Sequence, residues 1–270
     1  VALSNFSDMV RTAVSENADV IFAGAGLPLD LPGYLTEGSR TQLVPIVSSS
    51  RAARLICEKW SANYGYLPDA IVVEGPKAGG HLGFKKEQIE DEHYSLEHLI
   101  PEVVEVARSY AGRENIPVIA AGGIATGEDI ARFMTLGASA VQMGSIFVPT
   151  EECDASVEFK KVYLNAHRED IRIIQSPVGM PGRAFDGEFI RNVAEGKEKP
   201  RSCPFHCIKT CDSTKSPYCI IKALYNAAKG NMKKGYAFAG GNAYLSDKIR
   251  SVREVVEKLK TDFFLSKVAF

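Results

Sequence analysis

The sequence predicts an α/β fold: a (β/α)8 TIM barrel, incomplete at its N-terminal end, with a C-terminal helical extension. Three observations predict it. Short apolar, β-branched runs alternate with amphipathic helical patterns at spacings of about 25 to 45 residues, the pattern of parallel βαβ units. Most of these runs end in glycine: Gly24 and Gly26, then Gly75, Gly79, Gly80 and Gly83, then Gly122 and Gly123, then Gly144. An open doubly wound sheet fits the alternation equally well. The third observation favours the barrel. Active sites of barrels are built from loops at the C-terminal strand ends, and the last two glycine loops match the phosphate site that follows strands 7 and 8.

Each element has its own reason. Residues 5–16 predict a helix, because Phe6, Met9, Val10, Ala13 and Val14 fall at helical spacing. Residues 19–26 read as a strand and a small-residue turn. Pro28 and Pro32 make 27–32 a loop, since proline is excluded from helix interiors. Residues 43–47 are the next strand. Ser50 is placed to cap a helix over 51–63 whose buried side is Ala52, Leu55, Ile56 and Trp60. Residues 70–74 are apolar throughout except Glu74, as in a strand covered on both faces. The loop that follows it presents His81. The charged stretch 85–94 reads as a solvated excursion. Pro101 suits the first turn of a helix reaching about residue 111, with Val103, Val104, Ala107 and Tyr110 inward. Residues 117–121 form a strand. Thr126 caps a short helix with Glu128 and Asp129 in its first turn, and Gly137 stops it. Residues 140–145 are the last strand and its loop.

Counting back from the phosphate loops numbers the strands. Residues 140–145 become strand 8, 117–121 strand 7, 70–74 strand 6, 43–47 strand 5 and 19–23 strand 4. Val1 to Leu3 is left as the end of strand 3. Strands 1 and 2 are then absent, and a barrel of about 250 residues, at about 31 per unit, leaves roughly 80 residues unaccounted for. The expected organisation is a partial cofactor-binding barrel over 1–150 and an extension over 151–270 that packs on it. The extension reads as a helix over 154–166, a special loop at 176–182, a cysteine segment, a helix over 218–229, an aromatic and glycine-bearing loop over 235–242, and a final helix capped by Ser246 with Ile249, Val252, Val256 and Leu259 as its stripe.

Composition excludes several classes. Of 270 residues 45% are hydrophobic and 24% charged, as in ordinary globular domains. A net charge of -1 offers no electrostatic case for nucleic acid or an anionic membrane. No run of about 18 apolar residues occurs, so no membrane span is expected. No secretory signal is visible, which makes the cytoplasm the default compartment and disulfides unexpected.

The site residues follow from the strand ends. Main-chain N–H groups at Gly122, Gly123, Gly144 and Ser145 suit a phosphate dianion, with the helix after Thr126 supplying a positive end. Taken singly such loops are tight turns; as a pair on consecutive strands they favour a phosphate site. No G-x-G-x-x-G fingerprint follows a strand, so a mononucleotide such as FMN is expected and not a dinucleotide. His81 is the imidazole at the exit of 70–74. Glu74 competes as a base, or pairs with Lys77.

Four segments together resemble the nitronate monooxygenase family: Ala23-Gly24-Ala25-Gly26-Leu27-Pro28, Ala78-Gly79-Gly80-His81, Ala121-Gly122-Gly123-Ile124 and Gln142-Met143-Gly144-Ser145. Flavin-dependent enoyl-ACP reductases are close relatives of that family. The resemblance runs from Val1 to about Leu259. It implies a TIM barrel with FMN at its C-terminal mouth and His81 beside the flavin as catalytic base. It implies phosphate contacts at Gly122, Gly123, Gly144 and Ser145, and flavin contacts at Gln142 and Met143, with Gly24, Ala25, Gly79 and Gly80 completing the cofactor set. Lys77 stands where many members carry Glu. The reaction implied is oxidation of nitronates or nitroalkanes with O2. A neutral histidine can take the acidic proton α to a nitro group. The alternative is an enoyl-ACP reductase acting on an enoyl thioester with NAD(P)H. A second alternative is a chain that cannot retain FMN. A homodimer is left open.

Cys203, Cys207, Cys211 and Cys219 cluster in the extension. Soft thiolates at short spacing suit zinc or iron–sulfur, but C-x3-C-x3-C-x7-C matches neither the usual zinc pair nor the ferredoxin runs. Free or redox-active thiols are the plainer expectation, so no metal is assigned and the four remain candidates.

Overall fold

The computed structural model describes residues 1–110, 115–198, 203 and 205–268. Among these the strands are β1 (Val20–Ala23), β2 (Gln42–Val47), β3 (Ile71–Glu74), β4 (Gly80–His81), β5 (Val118–Ala121), β6 (Ala140–Gln142), β7 (Ile171–Gln175) and β8 (Pro181–Phe185). The helices are α1 (Phe6–Ser15), α2 (Ser50–Tyr64), α3 (Leu96–Tyr110), α4 (Gly127–Thr135), α5 (Val157–Leu164), α6 (Glu188–Ala194), α7 (Ile220–Ala228) and α8 (Val252–Val268). None of them is long and apolar enough to cross a membrane.

β1, β2, β3, β5 and β6 form a five-stranded parallel sheet in that order. Sequence order and spatial order agree for these five strands, unlike the reversing order of a doubly wound sheet. Alternate side chains go to opposite faces. On one face Leu43, Val47, Ile71, Val73, Val118 and Ala120 join the core that α2 and α3 cover. On the other Val44, Val72 and Ala121 form a smaller cluster. The expected strand at Val1 to Leu3 is not part of this sheet. Leu3 instead makes an antiparallel bridge with Ile208, and the Val1 ammonium donates to the Gly24 carbonyl at 2.8 Å.

Several expected boundaries move, each for a local reason. Ser49 caps α2, accepting from the Ala52 N–H at 3.2 Å, which frees the Ser50 hydroxyl to donate to Glu102 at 2.7 Å. α3 begins at Leu96, a turn before Pro101, because its buried stripe already includes Leu96, Leu99 and Ile100; residue 111, its expected end, lies outside the described residues. α8 starts at Val252 and is capped by Ser251, not Ser246. Ser251 and Glu254 exchange side-chain-to-main-chain bonds at 3.2 and 2.7 Å. Ile249 precedes the helix. Met9 is exposed on α1, where Val10 and Val14 are buried. The stretch 85–94 folds into two 3-10 turns around a buried Ile89.

The extension holds a sheet that the sequence reading lacked. β7 and β8 form a hairpin, and β8 pairs with β4 on its other side. The turn between them is the special loop, with Gly179 at φ 87° and its N–H bonded to the Ser176 carbonyl. α8 returns to pack on α4. A Cβ on Gly127 would come within 2.2 Å of the Phe263 nitrogen, so the two backbones touch there.

Candidate active site

Three consecutive strand ends meet in register. Glu74 of β3 pairs with Ala121 of β5, and Ala121 pairs with Gln142 of β6. Beyond this row the chains turn into a cleft of about 200 Å³, whose lining includes Gly79, Gly122, Gly123, Met143, Gly144 and Ser145 besides the three residues of the row. The strand-end geometry thus brings together seven residues expected there: Gly79, Gly122, Gly123, Gln142, Met143, Gly144 and Ser145.

The cleft suits an anion. Gly122 and Gly123 adopt φ of 99° and 81°, the left-handed region, and a Cβ on Gly123 would stand 2.7 Å from the Lys77 Cβ. Nothing lies within 4 Å of the Cβ position of Gly144. Among the described residues the N–H groups of Gly122, Gly123, Gly144 and Ser145 donate to no protein acceptor. Such unpaired donors beside open space are what a phosphate requires. The end of α4 plays a smaller part than expected. Asp129 accepts from the N–H groups of Ala125 and Thr126, Thr126 Oγ1 caps Asp129, and α8 covers Gly127. The donors are therefore amides of the strand-end loops, with Ser145 opening a 3-10 turn, and not the end of α4.

A loop from the extension closes this side. The Gly240 N–H donates to Ser145 Oγ at 2.9 Å, Gly241 to the Lys77 carbonyl at 2.8 Å, and Asn242 Nδ2 to the Gly123 carbonyl. Gly240 and Asn242 line the cleft. Their glycine-rich loop was visible in the sequence; its place over the strand ends, about 100 residues away, was not.

Glu74 lines the cleft and makes no pair with Lys77 or any other cation among the described residues. Burial pushes its carboxyl up to about 7. His81 and Gly80 lie just outside the lining, on β4. His81 Nε2 is 2.7 Å from Ser176 Oγ, and its ring stands edge-on to Phe238 at 5.1 Å. Burial lowers its pKa below the usual histidine value, so the ring is neutral at pH 7. Ser176 and Phe238 are contacts that sequence spacing does not reveal. Gly24 and Ala25 also lie outside the lining: Gly24 is held by Val1, and Ala25 turns at φ 55°.

Cys203, Cys207, Cys211 and Cys219 are all free, and together they line a small cavity in the extension.

Comparison with known proteins gives this geometry a family. A probable nitronate monooxygenase of Staphylococcus saprophyticus is 32% identical over 192 residues, covering 70% of this chain and 50% of the relative. One from Staphylococcus aureus is 34% identical over 128 residues, covering 47% of this chain and 34% of the relative. The chain thus spans half or less of the length of these curated relatives. FabK from Thermotoga maritima superposes with a TM-score of 0.75 at 27% identity, over 98% of this chain and 74% of FabK. Nitroalkane oxidase from Streptomyces ansochromogenes shares the fold, with a TM-score of 0.70 at 21% identity over 96% of this chain and 68% of the oxidase. The family profile described as nitronate monooxygenase matches residues 3–262, nearly the whole chain, and the chain therefore belongs to the nitronate monooxygenase family.

Proposed function

We propose that the protein is an FMN-dependent oxidoreductase that oxidises nitronates or nitroalkanes with O2, and that its parallel sheet is a five-strand arc of a (β/α)8 barrel. The observation that carries the reading is the cleft at three consecutive strand ends, lined by unpaired N–H groups at Gly122, Gly123, Gly144 and Ser145. Those amides would hold the FMN phosphate, and Asn242 and Gly240 would keep their loops in place. FMN, when bound, supplies the electron transfer. The chain's own residues handle binding and protons. His81, neutral and hydrogen-bonded to Ser176, accepts the proton α to the nitro group of a nitroalkane or orients a nitronate. Glu74, whose carboxyl burial raises to about 7, is partly protonated near neutral pH and offers a second proton position at the cleft wall.

The test is to titrate the purified chain with FMN, following flavin fluorescence, and then to measure oxygen uptake with a nitronate. Saturable binding and nitronate-dependent uptake are expected. Failure to bind FMN would overturn the cofactor assignment. A second reading is kept because FabK resembles this chain over 98% of its length. Under that reading the enzyme is a flavin-dependent enoyl reductase. NAD(P)H oxidation with an enoyl thioester, and no oxygen uptake with nitronate, would select it. A cytoplasmic location and a homodimer belong to the same proposal, and fractionation and light scattering test them.

A further inference from the structure

The extension contains a long segment without regular structure of its own. Between α6 and α7 the described residues form only turns and the single bridge of Ile208 to Leu3. Loops of more than about 12–15 residues are uncommon in compact domains unless something holds them. Protein contacts hold this one mainly near its middle, besides the buried Tyr218, whose hydroxyl donates to that of Tyr236 at 3.1 Å. Ser4 N–H donates to the Cys207 carbonyl at 3.2 Å, Lys209 N–H to the Ala2 carbonyl at 3.0 Å, and Thr210 Oγ1 to the Val178 carbonyl at 3.3 Å.

The same segment turns its thiols toward one place. Cys203, Cys207, Cys211 and Cys219 line one cavity with His206 and Tyr218, and the cavity shares no residue with the cleft at the strand ends. Local structure explains the convergence. The Cys211 N–H bonds back to the Ile208 carbonyl, which folds Cys207 and Cys211 toward each other. Cys219 caps α7, so its sulfur sits at a helix end. The free volume is about 30 Å³. That exceeds the roughly 10–15 Å³ that a single water needs on this kind of measure, so the cysteines surround a space of the size of one ion.

We propose that Cys203, Cys207, Cys211 and Cys219 hold a single soft divalent ion of the zinc class, which fastens residues 203–219 onto α7. Four thiolates are a complete tetrahedral set for such an ion, with sulfur at about 2.3 Å. Each metal–sulfur bond forms as its S–H proton leaves to solvent, and the metal undergoes no redox change. Among the described residues no three His, Cys, Asp or Glu side chains already stand in ligating positions, so the cysteine side chains close around the ion as it binds. The ion also steadies the neighbouring site through Thr210 and Val178, because Val178 follows Ser176, the partner of His81, by two residues. The assignment is independent of the flavin reading.

The test uses the whole chain, purified reduced and anaerobic, treated with Zn2+ and desalted. Expected are about one zinc per chain and Cys203, Cys207, Cys211 and Cys219 shielded from a thiol reagent until a chelator is added, with Cys57 buried throughout and Cys153 as the reactive reference. Co2+ in place of Zn2+ should give the intense thiolate charge-transfer absorption of a tetrahedral site; this needs no variant. Cys207→Ser and Cys211→Ser should each lower retained zinc at least about tenfold, and Cys153→Ser should retain all of it. Cys203, Cys207, Cys211 and Cys219 reacting as fast as Cys153 without a chelator, with under about 0.1 zinc per chain, would overturn the proposal. So would iron accompanied by inorganic sulfide.

Discussion

Ser176 Oγ lies 2.7 Å from Nε2 of His81, across 95 residues of sequence. The serine is 3% exposed, in the turn between β7 and β8. Phe238 closes the other side of the ring at 5.1 Å. The imidazole is therefore held by two elements that both belong to the extension. Replacing His81 by alanine should lower kcat/KM with nitronate by about 10²–10⁴-fold, the usual worth of a positioned proton carrier. Ser176→Ala should lower it about tenfold and cost about 1 kcal/mol of stability, the worth of one hydrogen bond. Steady-state oxygen uptake and denaturant unfolding check the pair. Undiminished turnover in His81→Ala would remove the role assigned to it.

The acid limb of the pH profile should follow from the burial of His81. Its pKa is lowered because burial disfavours the imidazolium. The neutral base is thus present throughout the neutral range. As pH falls below the ordinary histidine value of about 6.5, the unfolded chain takes the proton first, and native stability begins to fall. Stability continues to fall until the folded pKa is passed. kcat/KM should fall in the acid range too, with its midpoint below about 6.5. A midpoint above 7 would contradict a ring desolvated in this way.

Glu74 carries the opposite sign. Its carboxyl is raised from 4.5 to about 7 by burial. The contribution to stability is full below 4.5, where both states are protonated, and is lost as pH rises through about 7. A change of that size is worth roughly 3 kcal/mol. Glu74→Gln keeps the shape and removes the charge, so it should exceed the native chain in stability at pH 8 and match it near pH 4.5. Urea unfolding at the two pH values measures this. Equal stability of the two chains at both pH values would mean that the carboxyl is solvated.

The sheet was legible in the sequence because its signals are local. Ile71, Val72 and Val73 form an unbroken β-branched run, and the glycines that follow mark the strand end by their backbone needs alone. Thr126 and Asp129 form a capping box readable at a spacing of three. The hairpin was hidden for the opposite reason. Ile171, Ile173 and Ile174 do not alternate cleanly, and β8 opens Pro181-Gly182, which reads as loop. What makes them strands is pairing with each other and with β4, a long-range fact. The same holds for the site. Gly122 and Gly123 announce themselves, whereas Ser176, Gly240 and Asn242 act only through distant partners. Glu74 was visible, but its isolation from Lys77 depends on where the Lys77 chain runs, past Gly123.

Gly123 should be intolerant of any side chain. Its φ of 81° strains an L residue, and the added Cβ would stand 2.7 Å from the Lys77 Cβ. Gly123→Ala must therefore turn the peptide that carries a proposed phosphate donor. FMN affinity should fall at least about tenfold, the loss of one charge-assisted hydrogen bond, with about 1–3 kcal/mol of destabilisation from strain. Flavin titration beside thermal unfolding separates the two effects. Unchanged affinity would place the phosphate elsewhere.

Gly127→Ala tests the packing of the extension on the sheet's helices, away from the chemistry. On propensity alone, alanine in a helix should stabilise by about 1 kcal/mol. Contact opposes it. The new Cβ would lie 2.2 Å from the Phe263 nitrogen and 2.4 Å from the Leu259 carbonyl oxygen. Both are main-chain atoms of α8, which cannot rotate aside as a side chain does. The helices must separate, and overpacking of this kind costs about 1–3 kcal/mol. That exceeds the propensity gain at most of its range, so the melting temperature should fall by several degrees. FMN affinity should change by less than about threefold, because the peptides of Gly122 and Gly123 precede α4 and are held from the other side by Asn242. A variant that melts higher than the parent would show that α4 and α8 do not meet backbone to backbone.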